Sequence, residues 1–257
     1  MPAFTEYAPG TPSWVDLAST DLPGSIAFYG ALFGWEAADQ GPEAGGYTIF
    51  MKDGKAVAGL GPQFAEGAPP NWATYVSVAD VEAAVGLVRE AGGTVFVEPM
   101  DVLDAGRMAV CADPTGAGFS LWQPGAHIGA ELANEPGAFC WNELNTRDSE
   151  TAAAFYGAVF GWKGKTSEGG GGYTELQLEG KSIAGMVDIT ERVPAEVPAH
   201  WMTYFGVESC DAAVATVQEL GGSLTVGPID MAGVGRFAVV TDPQGAHFAV
   251  FEMPPGG

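Results

Sequence analysis

The chain has 257 residues, 47% of them hydrophobic and 16% charged, with 10 Lys+Arg against 32 Asp+Glu for a formal net charge of −22. So acidic a surface repels phosphate backbones and anionic lipid, which argues against nucleic-acid and membrane-surface partners. No apolar run approaches the roughly 18–20 residues a spanning helix needs, and MPAFTEYAPG lacks signal-peptide character, so a cytoplasmic protein, monomeric or homodimeric, is expected.

In chain order, Trp14–Ser19 reads as a short strand, and Asp21-Leu22-Pro23 opens a helix that runs to Phe33 and stops at Gly34. Strands are predicted at Tyr47–Met51 and Lys55–Gly59, joined by the hairpin signal Asp53-Gly54. The loop GPQFAEGAPP leads into a strand at Trp72–Val78. Asp80 then caps a helix over Val81–Ala91 that ends at Gly92-Gly93. Strands at Thr94–Val97, Arg107–Ala112 and Phe119–Trp122 follow, the last two joined by the turn DPTG. Residues 125–136, QPGAHIGAELANEP in context, lack periodicity and read as a linker, with His127 as a solvated loop residue.

Beyond the linker the pattern returns. DLPGSIAFYGALFGW at Asp21–Trp35 reappears as DSETAAAFYGAVFGW at Asp148–Trp162, and GGYT at Gly45–Thr48 as GGYT at Gly171–Thr174. RMAVCADPTGA, Arg107–Ala117, is answered by RFAVVTDPQGA, Arg236–Ala246, and Trp72 by Trp201. A period this long marks whole domains rather than a solenoid, and each copy is large enough to bury its own core. The expected domains are residues 8–124 and 137–254. The second repeats the strands and helices of the first, with helices from Thr151 to Phe160 and Cys210 to Leu220 and a hairpin turn at Glu179-Gly180. Cys111, Cys140 and Cys210 share no CxxC spacing and read as small core or semi-buried thiols.

The strand, the Asp-led helix ending in FY…FGW, the later Gly-Gly stop and the DPxGA turn together resemble the vicinal oxygen chelate superfamily. That superfamily includes glyoxalase I, bleomycin-resistance proteins and extradiol dioxygenases, and the resemblance spans about residues 10–125 and 137–253. It implies an α+β fold: two tandem domains, each of two βαβββ modules forming a curled mixed sheet around a cavity. Enzymes of the superfamily hold a divalent metal on the sheet. The matching positions here are Trp14, Ala73 and Ser120, then Trp141, Met202 and Ala249, or Trp72 and Trp201 if the second strand is read one residue earlier. None is imidazole, carboxylate or thiolate, so no metal and no cofactor are expected.

Strand alternation puts residues i and i+2 on one face, which assembles two candidate sites. If Trp14 and Trp141 face the cavity, so do Asp16 and Glu143, then Ala18 and Asn145. The facing strands add Tyr75 and Tyr204, with Asn71 and His200 at the mouth and Met202 between them. The last strands add Ser120 and Trp122 to one cup, and His247, Ala249 and Phe251 to the other. Trp14, Ser120, Trp122, Trp141, Asn145, His200, Met202, His247 and Phe251 are candidate ligand-binding residues. Asp16 and Glu143 are candidate bases and Tyr75 and Tyr204 candidate acids, because a desolvated carboxyl rises toward neutrality. Trp72, Trp201, Trp35, Trp162, Phe28, Tyr29, Phe155 and Tyr156 read as core, and Arg107 and Arg236 as structural ion-pair partners. Aromatic walls with few polar groups suit a planar or apolar small molecule. The expectation is therefore a metal-independent binder of such a metabolite. The alternative is a hydroxylase-, lyase- or isomerase-type enzyme of the same superfamily, and a metal-dependent glyoxalase or ring-cleaving dioxygenase is disfavoured.

Overall fold

The computed structural model describes residues 3–63, 67–166 and 172–254; the loop and turn read at 64–66 and 167–171 lie outside the described residues. The first half runs β1 (Pro12–Ser19), α1 (Leu22–Phe33), β2 (Glu36–Asp39), β3 (Thr48–Lys52), β4 (Lys55–Pro62), β5 (Asn71–Ser77), α2 (Val81–Glu90), β6 (Thr94–Val102), β7 (Gly106–Ala112) and β8 (Gly118–Pro124). The second half runs β9 (Phe139–Thr146), α3 (Ser149–Phe160), β10 (Lys163–Thr166), β11 (Tyr173–Leu178), β12 (Lys181–Asp188), β13 (His200–Val207), α4 (Cys210–Glu219), β14 (Ser223–Met231), β15 (Gly235–Thr241) and β16 (His247–Glu252).

Each half contributes one eight-stranded mixed sheet, ordered β2-β3-β4-β1-β5-β8-β7-β6 and β10-β11-β12-β9-β13-β16-β15-β14. Two βαβββ modules therefore meet within each half along an antiparallel seam, β1 on β5 and β9 on β13. Local chemistry explains the elements. Asp21, Asp80, Asp148 and Ser209 each accept a hydrogen bond from a first-turn N–H, capping their helices. Asp53 (φ 51°) and Gly54 (φ 72°), like Glu179 (φ 50°) and Gly180 (φ 80°), take the two positive φ values of a two-residue hairpin turn. Two strands, β2 and β10, carried no apolar signal: β10 is Lys-Gly-Lys-Thr and exposed throughout, and each pairs on one side only, at a sheet edge.

The core lies between the halves. Tyr29 of α1 is fully buried, stacks on Trp35 and contacts Trp72 edge-on, while Phe33 packs against Phe205 and Phe248 of the second half. Its O–H donates to Asp242 in the second half's DPQG turn at 2.9 Å and accepts from the Trp72 indole at 3.1 Å. The reciprocal set is complete: Tyr156 donates to Asp113 of the first half's DPTG turn at 3.0 Å and accepts from Trp201 at 2.9 Å. Trp35 donates to the Gly137 carbonyl and Trp162 to that of Gly10, both at 2.7 Å. The aromatic motifs thus pack each helix against the opposite half as well as its own sheet. Burying each large ring contributes roughly 1.5–3 kcal/mol, so the rings packed across the halves stabilise both together. No helix among the described residues is long and apolar enough to cross a membrane.

Candidate functional site

The faces of the two sheets turned away from this shared core carry the candidate residues. In the first half Trp14 stands opposite Tyr75, Asp16 opposite Ala73 and Ala18 opposite Asn71, while Tyr75 neighbours Ser120. Trp122 pairs with Met108 on the same face. In the second half Trp141 stands opposite Tyr204, Glu143 opposite Met202 and Asn145 opposite His200. Ala249 neighbours Tyr204, Phe251 pairs with Phe237, and His247 pairs with Thr241. Alternation therefore brings every predicted site residue onto one of two faces.

Each face centres on a carboxyl. The Asp16 side chain is buried and accepts hydrogen bonds from Tyr75 at 2.8 Å and Tyr47 at 3.2 Å; the Trp14 indole donates to Tyr47 at 3.0 Å. Burial pushes Asp16 up to about 6, and the two phenolic donors offset part of that rise. In the second half Tyr204 donates to Glu143 at 3.0 Å and the Trp141 indole donates to Tyr173 at 2.9 Å. Burial lifts Glu143 to about 7, against the opposing pull of Tyr204 and the Arg192 charge. Tyr75 and Tyr204 are themselves held well above the usual phenol range by burial and the neighbouring carboxylate, so they donate and do not ionise.

Tyr47 and Tyr173 were absent from the sequence-based set, although the repeated GGYT marked them. A glycine in the intervening strand makes their reach possible. A Cβ built on Gly59 would stand 1.9 Å from the Tyr47 hydroxyl, and one on Gly185 would stand 2.1 Å from that of Tyr173. Each phenol crosses β4 or β12 through that gap. Any side chain there would close it.

The two faces differ in cover. Trp14 is 3% and Trp122 5% exposed, whereas Trp141, Glu143, Phe237 and Phe251 are half-buried and His247 is exposed. The cover over the first face is His127, which is not the solvated loop residue the sequence suggested. Its ring meets Trp14 edge-on at 4.5 Å and Trp122 at 5.8 Å, and its carbonyl accepts from the Trp122 indole at 2.9 Å. Burial lowers His127 to about 4, so its ring is neutral. A cavity of about 360 Å³ opens beside Asp16, walled by Ala18, Ala44, Tyr47, Gly61 and Gln63. A second cavity of about 310 Å³ lies outside both faces, where Thr115 meets Arg147 and Asp148. Arg147 turns its guanidinium there to the carbonyls of Thr190, Val193, Pro194 and Val197.

Among the described residues no group of three or more His, Cys, Asp and Glu is arranged to hold a metal ion. His200 bonds the Pro198 carbonyl and His247 bonds Thr241 through their Nδ1 atoms. The positions that the resemblance matched to metal ligands, Trp14, Ala73 and Ser120, then Trp141, Met202 and Ala249, hold indole, methyl, hydroxyl and thioether groups and no imidazole, carboxylate or thiolate. That donor set does not fit a divalent cation. Arg107 pairs with Glu82 and Asp101, and Arg236 with Asp211 and Asp230.

Comparison with known proteins accords with this architecture. The profile described as Glyoxalase/Bleomycin resistance protein/Dioxygenase superfamily matches residues 11–121, and that of a Glyoxalase-like domain matches residues 141–251. A Mycobacterium bovis protein named "Putative glyoxylase CFP32" is 43% identical over 262 residues, covering 99% of both chains. The "Anthracycline biosynthesis protein DauV" of Streptomyces sp. (strain C5) is 41% identical over 267 residues, covering 97% of this chain and 96% of that one. A Mn(II)-bound glyoxalase from Novosphingobium aromaticivorans shares the fold at 18% identity and TM-score 0.65, covering 95% of this chain and 82% of its own.

Proposed function

The chain belongs to the Glyoxalase/Bleomycin resistance protein/Dioxygenase superfamily, and from that premise we propose that it binds a small planar aromatic or apolar metabolite without a divalent metal triad. The observation that carries this reading is the second face. There a half-buried Trp141 lies beside Phe237, Phe251 and Met202, with one desolvated carboxyl, Glu143, held by Tyr204. Flat apolar walls with a single polar anchor select a ring system bearing one hydrogen-bonding group. A carboxyl lifted to about 7 is in part protonated at neutral pH, so it donates a hydrogen bond to a ligand carbonyl as readily as it accepts one from a hydroxyl. The name of the Streptomyces relative, an anthracycline biosynthesis protein, supports a polycyclic ligand.

Tryptophan fluorescence titrated with a panel of fused-ring aromatics tests the reading. Saturable quenching that Trp141→Ala removes is the expected result. Absence of saturable quenching across the panel, or quenching indifferent to Trp141→Ala and Trp14→Ala alike, would count against it.

The position of Glu143 favours a second reading, a proton-transfer enzyme of lyase or isomerase type. A base near 7 suits proton abstraction at physiological pH. In that reading Glu143 takes a proton from a C–H or O–H of the bound metabolite and returns it elsewhere on the same molecule, while Tyr204 holds the carboxylate in place. Glu143→Gln separates the two: loss of turnover with binding kept supports the enzyme, and unchanged behaviour supports the binder.

A further inference from the structure

The two halves repeat each other closely enough that one can be read as a template for the other. Trp14 corresponds to Trp141, Tyr75 to Tyr204, Met108 to Phe237 and Trp122 to Phe251. Over Trp14 and Trp122 sits a flat ring from elsewhere in the chain. His127 leaves the end of β8, its backbone N–H donating to Ala105 at 3.0 Å, and its ring contacts both indoles. His127 Nε2 is buried with no hydrogen-bond partner. The ring is held by aromatic contact and by its backbone, with no polar bond from Nε2.

In the second half the equivalent seat is open. Trp141 and Phe251 are half-buried, and beyond their strand neighbours and the Tyr173 hydroxyl no ring among the described residues stacks on either or meets it edge-on. The same wall continues toward solvent through Ile229, 41% exposed, which pairs with Phe237, and Val226, 42% exposed, which pairs with Val239. The first half has the same exposed rim, Met100 being 46% exposed and paired with Met108, so the twins differ in the ring that covers the tryptophan, and an apolar face without that cover marks a place for an external group.

We infer that His127 is a resident substitute for a ligand ring in the first cup, so that the second cup alone takes a planar aromatic ligand, one per chain, against Trp141 and Phe251. This rests on the proposed binding function and adds to it the site, the stoichiometry and the residue that sets both. The first cup then serves the scaffold.

The test uses 1-aminoanthracene, a neutral fused-ring probe whose emission rises in apolar surroundings, titrated into the full chain with stoichiometry read from the break point. The wild-type protein should bind one probe per chain. Ile229→Asp, a change at an exposed position that leaves the core untouched, should weaken that binding at least tenfold. His127→Ala should raise the stoichiometry from one to two, and the added site should vanish on further change of Trp122 to Ala. A wild-type stoichiometry of two, one site insensitive to Ile229→Asp, or a folded His127→Ala protein that still binds one would overturn the inference while leaving ligand binding intact. Absence of binding in every form would overturn the binding function itself. If His127→Ala unfolds, ¹H–¹⁵N spectra of the indole N–H groups of the wild-type protein decide instead: probe-induced shifts at Trp141 and not at Trp14 or Trp122 support the inference, and shifts at Trp14 or Trp122 refute it.

Discussion

Asp16→Asn isolates the cost of keeping a carboxylate in the first cup. The Asp16 carboxyl rises from 3.8 to about 6 because burial penalises its charge, and the two tyrosine donors recover only part of the loss. A raised acid is protonated more in the folded than in the unfolded chain, so folding stability falls as pH climbs from about 4 to about 6 and stays low above that. Roughly two pH units at ~1.4 kcal/mol each amount to about 3 kcal/mol. Near the isoelectric point of about 4.1 the chain loses its mutual repulsion, so measurement belongs between pH 5 and 7.5. About 1.5 kcal/mol of the change falls in that window. Asparagine keeps an oxygen for Tyr75 and Tyr47 and cannot ionise, so every other titration cancels in the difference between variant and wild type. Urea unfolding at five pH values should show Asp16→Asn gaining stability relative to wild type by that amount as pH rises. A difference flat to within about 0.5 kcal/mol would refute the desolvation argument, since it would mean that water or an unrecognised partner already serves the carboxylate.

Two further changes probe the framework. Tyr156→Phe removes one hydroxyl and strands two buried partners, Asp113 and the Trp201 indole, so thermal or urea unfolding should register a loss of about 2–3 kcal/mol. Gly185→Ala places a methyl 2.1 Å from the Tyr173 hydroxyl and 2.8 Å from the Trp141 indole nitrogen. It should expel that phenol, cost about 1–3 kcal/mol and shift the Trp141 emission; an unchanged spectrum and melting point would show that the gap beneath Tyr173 is not needed.

Much of this molecule is legible in its sequence. Asp caps, Asp-Gly turns and the returning FY…FGW block lead to the modules and their duplication, because each is a local signal with a local cause. Alternation along β1 and β9 carries the placement of Asp16 and Glu143 on the same face as the tryptophans two residues away. What escaped has equally physical reasons. β2 and β10 sit at sheet edges, so they have little buried face to impose a pattern. Tyr47 and Tyr173 reach the carboxyls by crossing a neighbouring strand, and a permissive glycine many residues away is invisible to periodicity. Burial of the FY rings was evident, but an apolar pattern does not say whose surface will cover it, and here the opposite half does so. His127 lies in an aperiodic stretch, and its burial is a tertiary event that no neighbour in sequence announces.

The crossed latches, Tyr29 on Asp242 and Tyr156 on Asp113, make the duplicated copies guarantors of one another's architecture. Neither copy can be discarded once the other depends on it, whatever becomes of its hollow. A duplication locked in this manner ties the survival of each fold to its sibling, so a change that loosens one hollow's frame is felt in both.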